Sequence, residues 1–454
     1  MSGRLLIWQV MLLAMAFPAA AQSPQAQENR PTPATEPQAW PAQGAAPAGT
    51  SLTRRQAETL ALKNNPQITV GKLRALEAGQ FVREQRSALL PTAYLSLTAT
   101  DASNNARIAA GGLNNPIIYP RAASGVAASQ LITDFGRTTN LVSSAQANAK
   151  SEEEHSAATT AQIVLAVDQA FYNSLETRAV LQVAQQTVDA RQLIVNRISA
   201  LTQAKLKSDL DLSFANVDLA RAKLLQLEAK NNYAAALATL SAILGYPDEQ
   251  QFDLVESQSA PQQPEADVDP LILQAMRQRP ELLALQEQVT SAEKFGHAEH
   301  DLWKPTISAV GAAGEVPVRN PNLSNWYGAV GVNINIPVFN GFLYNARAKT
   351  ADLQTEVAKQ RLLDERNNIA RDVRIAWQQS QQAFERLGVT QQLREQANLG
   401  LHLAQSRYNL GLGSIVELGQ AELAKTEADI ADTEAQYQYR LTRLTLAYTI
   451  GAPR

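Results

Sequence analysis

Between Arg137 and Leu244 the sequence contains neither glycine nor proline. As one straight helix this stretch would be about 160 Å long at about 1.5 Å per residue. No ordinary globular core has room for such an element, since helices in globular domains average about 11–12 residues. A chain that carries it either folds the stretch back on itself or is built around very long parallel rods. A related stretch from Phe342 to Tyr448 is interrupted by a few glycines and by no proline.

The chain has 454 residues, 45% of them hydrophobic, enough to bury a large core. A net charge of −3 gives no electrostatic case for nucleic acid, which normally meets a basic face. The absence of cysteine excludes thiolate metal sites, cysteine catalysis, disulfides and an acylated N-terminal cysteine. Residues 1–21 read as a signal peptide: Arg4 is the positive region, Leu5 to Phe17 are mostly apolar, and Ala19-Ala20-Ala21 offers a cleavage site. That run is too short for a transmembrane helix of about 20 apolar residues. No later segment reaches that length, so the mature chain is expected to be periplasmic, secreted or an outer-membrane β-barrel. Residues 22–50, rich in Pro, Ala and Gln, read as a disordered tail.

Punctuation by proline and glycine divides the rest into two copies, 51–247 and 268–454, joined by a polar linker at 248–267. Asn65-Pro66-Gln67 returns as Arg279-Pro280-Glu281 and Pro91-Thr92 as Pro305-Thr306, both at a spacing of 214 residues. Gly136 pairs with Gly341 at 205 and Gly245 with Gly451 at 206, the difference falling in a loop between strands. Each copy is predicted to run short helix, helix, strand, strand, very long helix, helix. The first short helix is placed at Leu52–Lys63, and the strands at about 91–103 and 122–135, then 305–316 and 326–339.

In the last of these, Val330, Val332, Ile334, Ile336 and Val338 alternate with Ala329, Gly331, Asn333 and Asn335. A dyad repeat of this length marks an outer-membrane strand; an amphipathic strand of a soluble sheet has the same alternation. Four strands cannot close a bacterial barrel, which needs at least about 8, and an open sheet cannot sit in lipid. Membrane strands here therefore require several chains. The long helix of each copy, at about 96–102 Å, matches the roughly 90 Å of its two shorter helices stacked end to end. Leu181, Ala184, Val188, Val195 and Ile198 lie at coiled-coil spacing, as do Leu423, Ile430, Tyr437 and Leu444.

The pattern resembles the TolC-like outer membrane efflux protein family over nearly all of the chain from Leu52 onward. The resemblance is carried by the duplicated Asn65-Pro66 and Arg279-Pro280, and by Leu90-Pro91-Thr92 and Lys304-Pro305-Thr306. Ile336 to Gly341 and the run from Arg407 to Leu418 add to it. It implies an α+β membrane protein, internally duplicated and homotrimeric. A 12-stranded β-barrel in outer-membrane lipid would continue into a long periplasmic α-helical barrel. It also implies a periplasmic adaptor and an inner-membrane transporter as partners, with passive efflux or type I secretion as the function.

The family's periplasmic aperture is formed by helix–turn–helix tips, and at an offset of 206 Lys205–Leu212 correspond to Gly411–Leu418. Asp211 and Glu417 then match the family's carboxylates, which in a trimer would form rings attracting cations. Their alternative reading is as helix N-terminal acids favourable against the dipole, a reading that Asp209 shares. Tyr408 matches a tyrosine that helps tie the aperture closed; inter-helix packing is its alternative reading. Gly413 and Gln420 stand where some members carry a latching arginine and a second carboxylate. Lys205, Lys207, Ser208, Gly411, Gly413 and Ser414 form the tips and would meet the adaptor, although turn chemistry alone accounts for them.

His297 and His300 stand with Glu299 and Asp301, but no third ligand is evident beyond the histidine pair and a solvated helix end is the expected reading. No phosphate loop or nucleophile–base set is present, so no enzyme activity, cofactor or metal is predicted. Trp303, Trp326 and Tyr327 flank strand ends and fit either an interfacial aromatic girdle or ordinary packing. The competing reading is a soluble periplasmic coiled-coil scaffold or adaptor, which would carry a single hairpin with flanking β-domains rather than two such copies.

Overall fold

The computed structural model describes residues 50–101, 121–256, 261–316 and 324–451. The expected signal peptide at 1–21, and the tail apart from its last residue, lie outside the described residues. In order the elements are β1 (Thr50–Thr53), α1 (Arg54–Asn64), α2 (Pro66–Ser87), β2 (Thr92–Thr100), β3 (Arg121–Thr133), α3 (Arg137–Gln203) and α4 (Asp209–Ile243). There follow β4 (Phe252–Val255), α5 (Asp269–Gln278), α6 (Pro280–His300), a 3-10 turn (Asp301–Trp303), β5 (Thr306–Glu315), β6 (Trp326–Asn335), α7 (Leu343–Asn409) and α8 (Ile415–Thr449). Helices α3 and α7 are each 67 residues long, and α4 and α8 each 35. The stretch without glycine or proline is a hairpin of two helices. Among the described residues no helix is long and apolar enough to cross a membrane.

Corresponding helix ends differ by a constant 206 residues (137 and 343, 203 and 409, 243 and 449). This corrects the pairing of Gly136 with Gly341. The left-handed residues before the long helices are Phe135 (φ 55°) and Gly136 (φ 103°) in one half, Gly341 (φ 64°) and Phe342 (φ 66°) in the other. Glycine and phenylalanine have exchanged places within a two-residue left-handed turn. One glycine at either position relieves part of the cost of holding two residues there.

The chain divides into two compact units. The larger is all helix apart from β1 and β4. Its two hydrophobic clusters are built from equivalent positions: Ile163, Val167 and Leu240 in one return as Ile369, Val373 and Leu446 in the other, again 206 residues on. Leu52, Phe252 and Leu254 extend the first cluster. They belong to β1 and β4, which pair in parallel with Leu52 opposite Leu254. Both strands correct the sequence reading, which began a helix at Leu52 and left 248–267 as linker. Four residues are too few for a readable period, and the partner lies some 200 positions away. Thr53 ends β1 and caps α1 through a capping box with Gln56.

Where α4 and α8 end, the chain turns tightly against the start of α2 and α6. Gly245 (φ 88°) is forced twice over, since a Cβ there would also lie 2.8 Å from the Asn64 carbonyl oxygen. Asn65 donates to the Ile243 carbonyl at 2.9 Å and accepts from the Gln67 N–H. At the equivalent place in the second half, Arg279 donates twice to Glu281 (3.3 and 3.2 Å), and the Tyr448 hydroxyl donates to the same carboxylate.

The smaller unit carries one antiparallel sheet of order β2-β3-β5-β6. Its register sets Leu95, Val126, Ala313 and Gly328 in one row, and Ala93, Ala128, Gly311 and Val330 in the next on the same face. That face also bears Leu97, Val332 and Ile334, and it is open: Val330 is 93% and Leu97 75% exposed. The other face is mostly small or polar, with Thr92, Tyr94, Ser96, Thr98, Ser129 and Asn333. β6 stops at Asn335, short of the expected 339, because Pro337 has no N–H to give the ladder. Of the three aromatic residues at strand ends, only Trp326 stands on the apolar face; Tyr327 is turned to the other, and the Trp303 ring packs edge-on against Tyr344.

The Arg279–Glu281–Tyr448 cluster titrates. Burial alone would raise the Glu281 carboxyl, but hydrogen bonds from Arg279, its own backbone and Tyr448 hold it below the usual carboxylate range. Its contribution to stability is complete above the unfolded value of about 4.3 and is lost as pH falls through the lower folded value. Glu281→Gln is expected to flatten the fall in denaturation midpoint between about pH 5 and pH 3. An unaltered acid profile would show that the cluster does not carry it.

Candidate functional site

The predicted site residues gather at the two helix–turn–helix tips, which share one backbone. Helix α3 ends with Lys205 in the left-handed conformation (φ 60°), and α7 with Gly411 (φ 74°). The N–H of Leu206 reaches the Leu201 carbonyl and that of Lys205 the Thr202 carbonyl; Leu412 and Gly411 repeat both bonds to Arg407 and Tyr408. These are the paired bonds of a Schellman stop. Three residues after the left-handed one, Ser208 and Ser414 cap the next helix, accepting from Asp211 and Glu417 N–H at 3.1 Å each. The offset that joined Lys205 to Gly411 therefore holds in backbone geometry, with lysine where the second half has glycine.

The side chains differ. Asp211 closes a capping box, its carboxylate accepting from the Ser208 N–H. Glu417 instead turns to Arg407, whose Nε donates to it at 2.9 Å and whose Nη2 donates to the Leu412 carbonyl at 3.2 Å. Gly413 makes room for this, since a Cβ there would lie 3.0 Å from the Glu417 Oε2 and 3.3 Å from the Arg407 Cβ. Position 201, the counterpart of Arg407, is leucine. One tip thus neutralises its acid internally and the other does not.

Tyr408 sits between the tips, buried in a cluster with Ile198, Ala215, Ala404, Ile415 and Leu418. Lys207 Nζ lies 4.1 Å from its ring centroid, a cation–π contact. Its hydroxyl is buried and has no hydrogen-bond partner among the described residues. Burial, then the charge of Asp211, push its pKa up against the opposing Arg197. Within one chain the side chain packs and ties nothing. Lys205, Ser208, Asp209, Gly411 and Ser414 are exposed, while Lys207 and Gly413 are half-buried. Sequence reasoning missed Arg407 as a partner, and also the exposed leucines 206, 210, 410 and 412 that crown the tips.

Above the tips Arg191 of α3 forms a buried ion pair with Glu422 of α8. Burial lowers the Arg191 pKa, and Asp218 of α4 opposes the shift. Arg191 and Asp218 line a cavity of about 580 Å³ with Phe214, Val217 and Leu423. Near the sheet, Glu299 is buried against a two-pronged Arg347 (2.6 and 3.0 Å) and Asp301 binds Lys304 and Asn140. Both acids beside His297 and His300 are thus engaged, and no group of three or more His, Asp and Glu among the described residues is placed to hold a metal.

A sequence profile of outer membrane efflux proteins matches residues 59–246 and 271–452. The chain belongs to the outer membrane efflux protein family. It is similar to Protein CyaE of Bordetella pertussis, at 23% identity over 88% of this chain and 83% of that one. Its fold is like that of the outer membrane protein VceC from Vibrio cholerae (18% identity, 88% and 96% covered, TM-score 0.75). It is also like that of the CmeC outer membrane channel of Campylobacter jejuni (17% identity, 88% and 85% covered, TM-score 0.76). The family's members are passive efflux channels of the outer membrane with a large periplasmic helical part. That is the function and location of this chain, and the reading as a soluble scaffold or adaptor falls away.

Breaking one partner of the Arg191–Glu422 pair strands a charge. Glu422→Ala is expected to destabilise the protein by about 3–5 kcal/mol, and the apolar pair Arg191→Met with Glu422→Leu by far less. Denaturant unfolding of detergent-solubilised protein, followed by helical circular dichroism, distinguishes the two; equal losses would assign the effect to packing.

Proposed function

We propose that three copies of the chain assemble, their four-stranded sheets closing a 12-stranded barrel in the outer membrane. The observation that carries this is the sheet itself. Among the described residues β2 and β6 pair on one side only, yet the face between them is apolar and open. Unpaired strand edges are not tolerated in hydrocarbon, so the edges must meet those of other copies. Chemical cross-linking of the detergent-extracted protein is expected to stop at trimer; a species that stops at monomer would end this reading. The corresponding hydrophobic positions in the two halves further support an origin by tandem duplication of 51–247 and 268–454.

In this assembly the tips form the periplasmic aperture and the docking surface for a periplasmic adaptor, which couples the channel to an inner-membrane transporter. The exposed leucines, rimmed by Lys205 and Asp209, are the kind of apolar patch that a partner covers.

The charge asymmetry separates the two proposed rings. With Glu417 bound by Arg407 and Asp211 held, among the described residues, by the Ser208 backbone, Asp211 carries the larger share of the field at the aperture. Asp211→Asn is expected to lower cation preference in planar bilayers more than Glu417→Gln, and Arg407→Ala to raise it. If all three leave reversal potentials unchanged, the selective ring lies elsewhere.

A further inference from the structure

Side chains on strands ordinarily stand away from the sheet. Tyr327 lies along it. Its direct partner on β5 is Gly314, and the partner of Gly314 on β3 in the same row is Gly125. A Cβ on Gly314 would fall 2.7 Å from the Tyr327 hydroxyl oxygen, and one on Gly125 would overlap that oxygen with the Cζ at 3.4 Å. From β6 to β3 is two strand spacings of about 4.8 Å each, so the ring must lie nearly flat across β5.

Neither glycine has a left-handed φ, so backbone freedom does not explain them. Glycine inside a strand weakens it and marks a close approach where it is kept. At Gly314 the approach includes backbone, since a Cβ would also strike the Ser124 carbonyl and come within 2.8 Å of the Gly125 Cα. At Gly125 the obstacle is the end of the tyrosine, with the Ala313 carbonyl next at 3.3 Å. Gly328, in the same sheet but on the opposite face, has nothing within 4 Å of a built Cβ. The trough therefore fits this one ring. It lies on the small and polar face, opposite Leu97, Val126 and Val330, which is the water-filled side of a closed barrel.

We propose that Tyr327 sets the bore of the channel at this level, with Gly125 and Gly314 forming the recess that stows its ring against the wall. Raised from the recess, the ring stands in the path of the cargo. The inference rests on the closed barrel described above.

Single-channel conductance of the full-length protein in planar bilayers tests it. Gly125→Ala fills the recess and is expected to lower conductance. Adding Tyr327→Phe leaves only an ordinary contact with Cζ and restores part of the loss; adding Tyr327→Ala restores all of it, and Tyr327→Ala alone causes none. A normal conductance for Gly125→Ala, or a loss that Tyr327→Ala does not relieve, would overturn the proposal. Should Gly125→Ala fail to assemble, assembly regained in Gly125→Ala with Tyr327→Ala supports it, and failure of both overturns it. A wild-type protein that forms no pore would instead sink the closed barrel.

Discussion

Hydrocarbon offers a peptide group no donor and no acceptor, so any backbone within it must find its partners in protein. Among the described residues of this chain the requirement is left unmet at two strand edges, β2 and β6, on a sheet whose one face is apolar and open. A soluble protein would blunt such edges with charge, proline or a covering helix. Here the row from Ala93 through Ala128 and Gly311 to Val330 is apolar throughout, and Pro91 before β2 and Pro337 after β6 both fall just outside the strands. On the proposed assembly, the incompleteness of the single chain is the condition for making a pore from copies.

The helical part solves a different problem, that of reversing direction within a rod. Each tip does so with a left-handed residue, two closing hydrogen bonds and a serine cap, and the two halves agree in all three. What varies is placed on top of this shared backbone. Lys205 accepts a conformation natural to Gly411, and Arg407 takes up a carboxylate whose counterpart caps its own helix. The buried Arg191–Glu422 pair and the Tyr408 cluster hold neighbouring helices in register where the tips would otherwise depend on a few turn residues.

Much of this was legible in the sequence because its signals are local. Proline and glycine mark the helix ends, the dyad alternation marks β6, and the second half's Gly411 betrays a bend that Lys205 conceals. Long-range consequences were not legible. β1 and β4 are four residues each and find one another across the length of a whole half, so no periodicity announces them. Arg407 and Glu417 are ten residues apart and meet only because the turn folds them together. Gly136 and Gly341 look equivalent in sequence, yet the left-handed turn uses them at different positions. Tyr327 read as one more aromatic at a strand end, since alternation says which face a side chain takes but not whether it stands or lies.

Two tips with one backbone and two sets of side chains also constrain whatever binds there. A ligand that engages main-chain groups and the crowning leucines meets the same surface on either half and can slide from one register to the other. A ligand that reads charge meets two distinct addresses, one with its acid paired to an arginine and one with its acid capping its own helix. Recognition at this end of the molecule can therefore be permissive in position and strict in orientation at the same time.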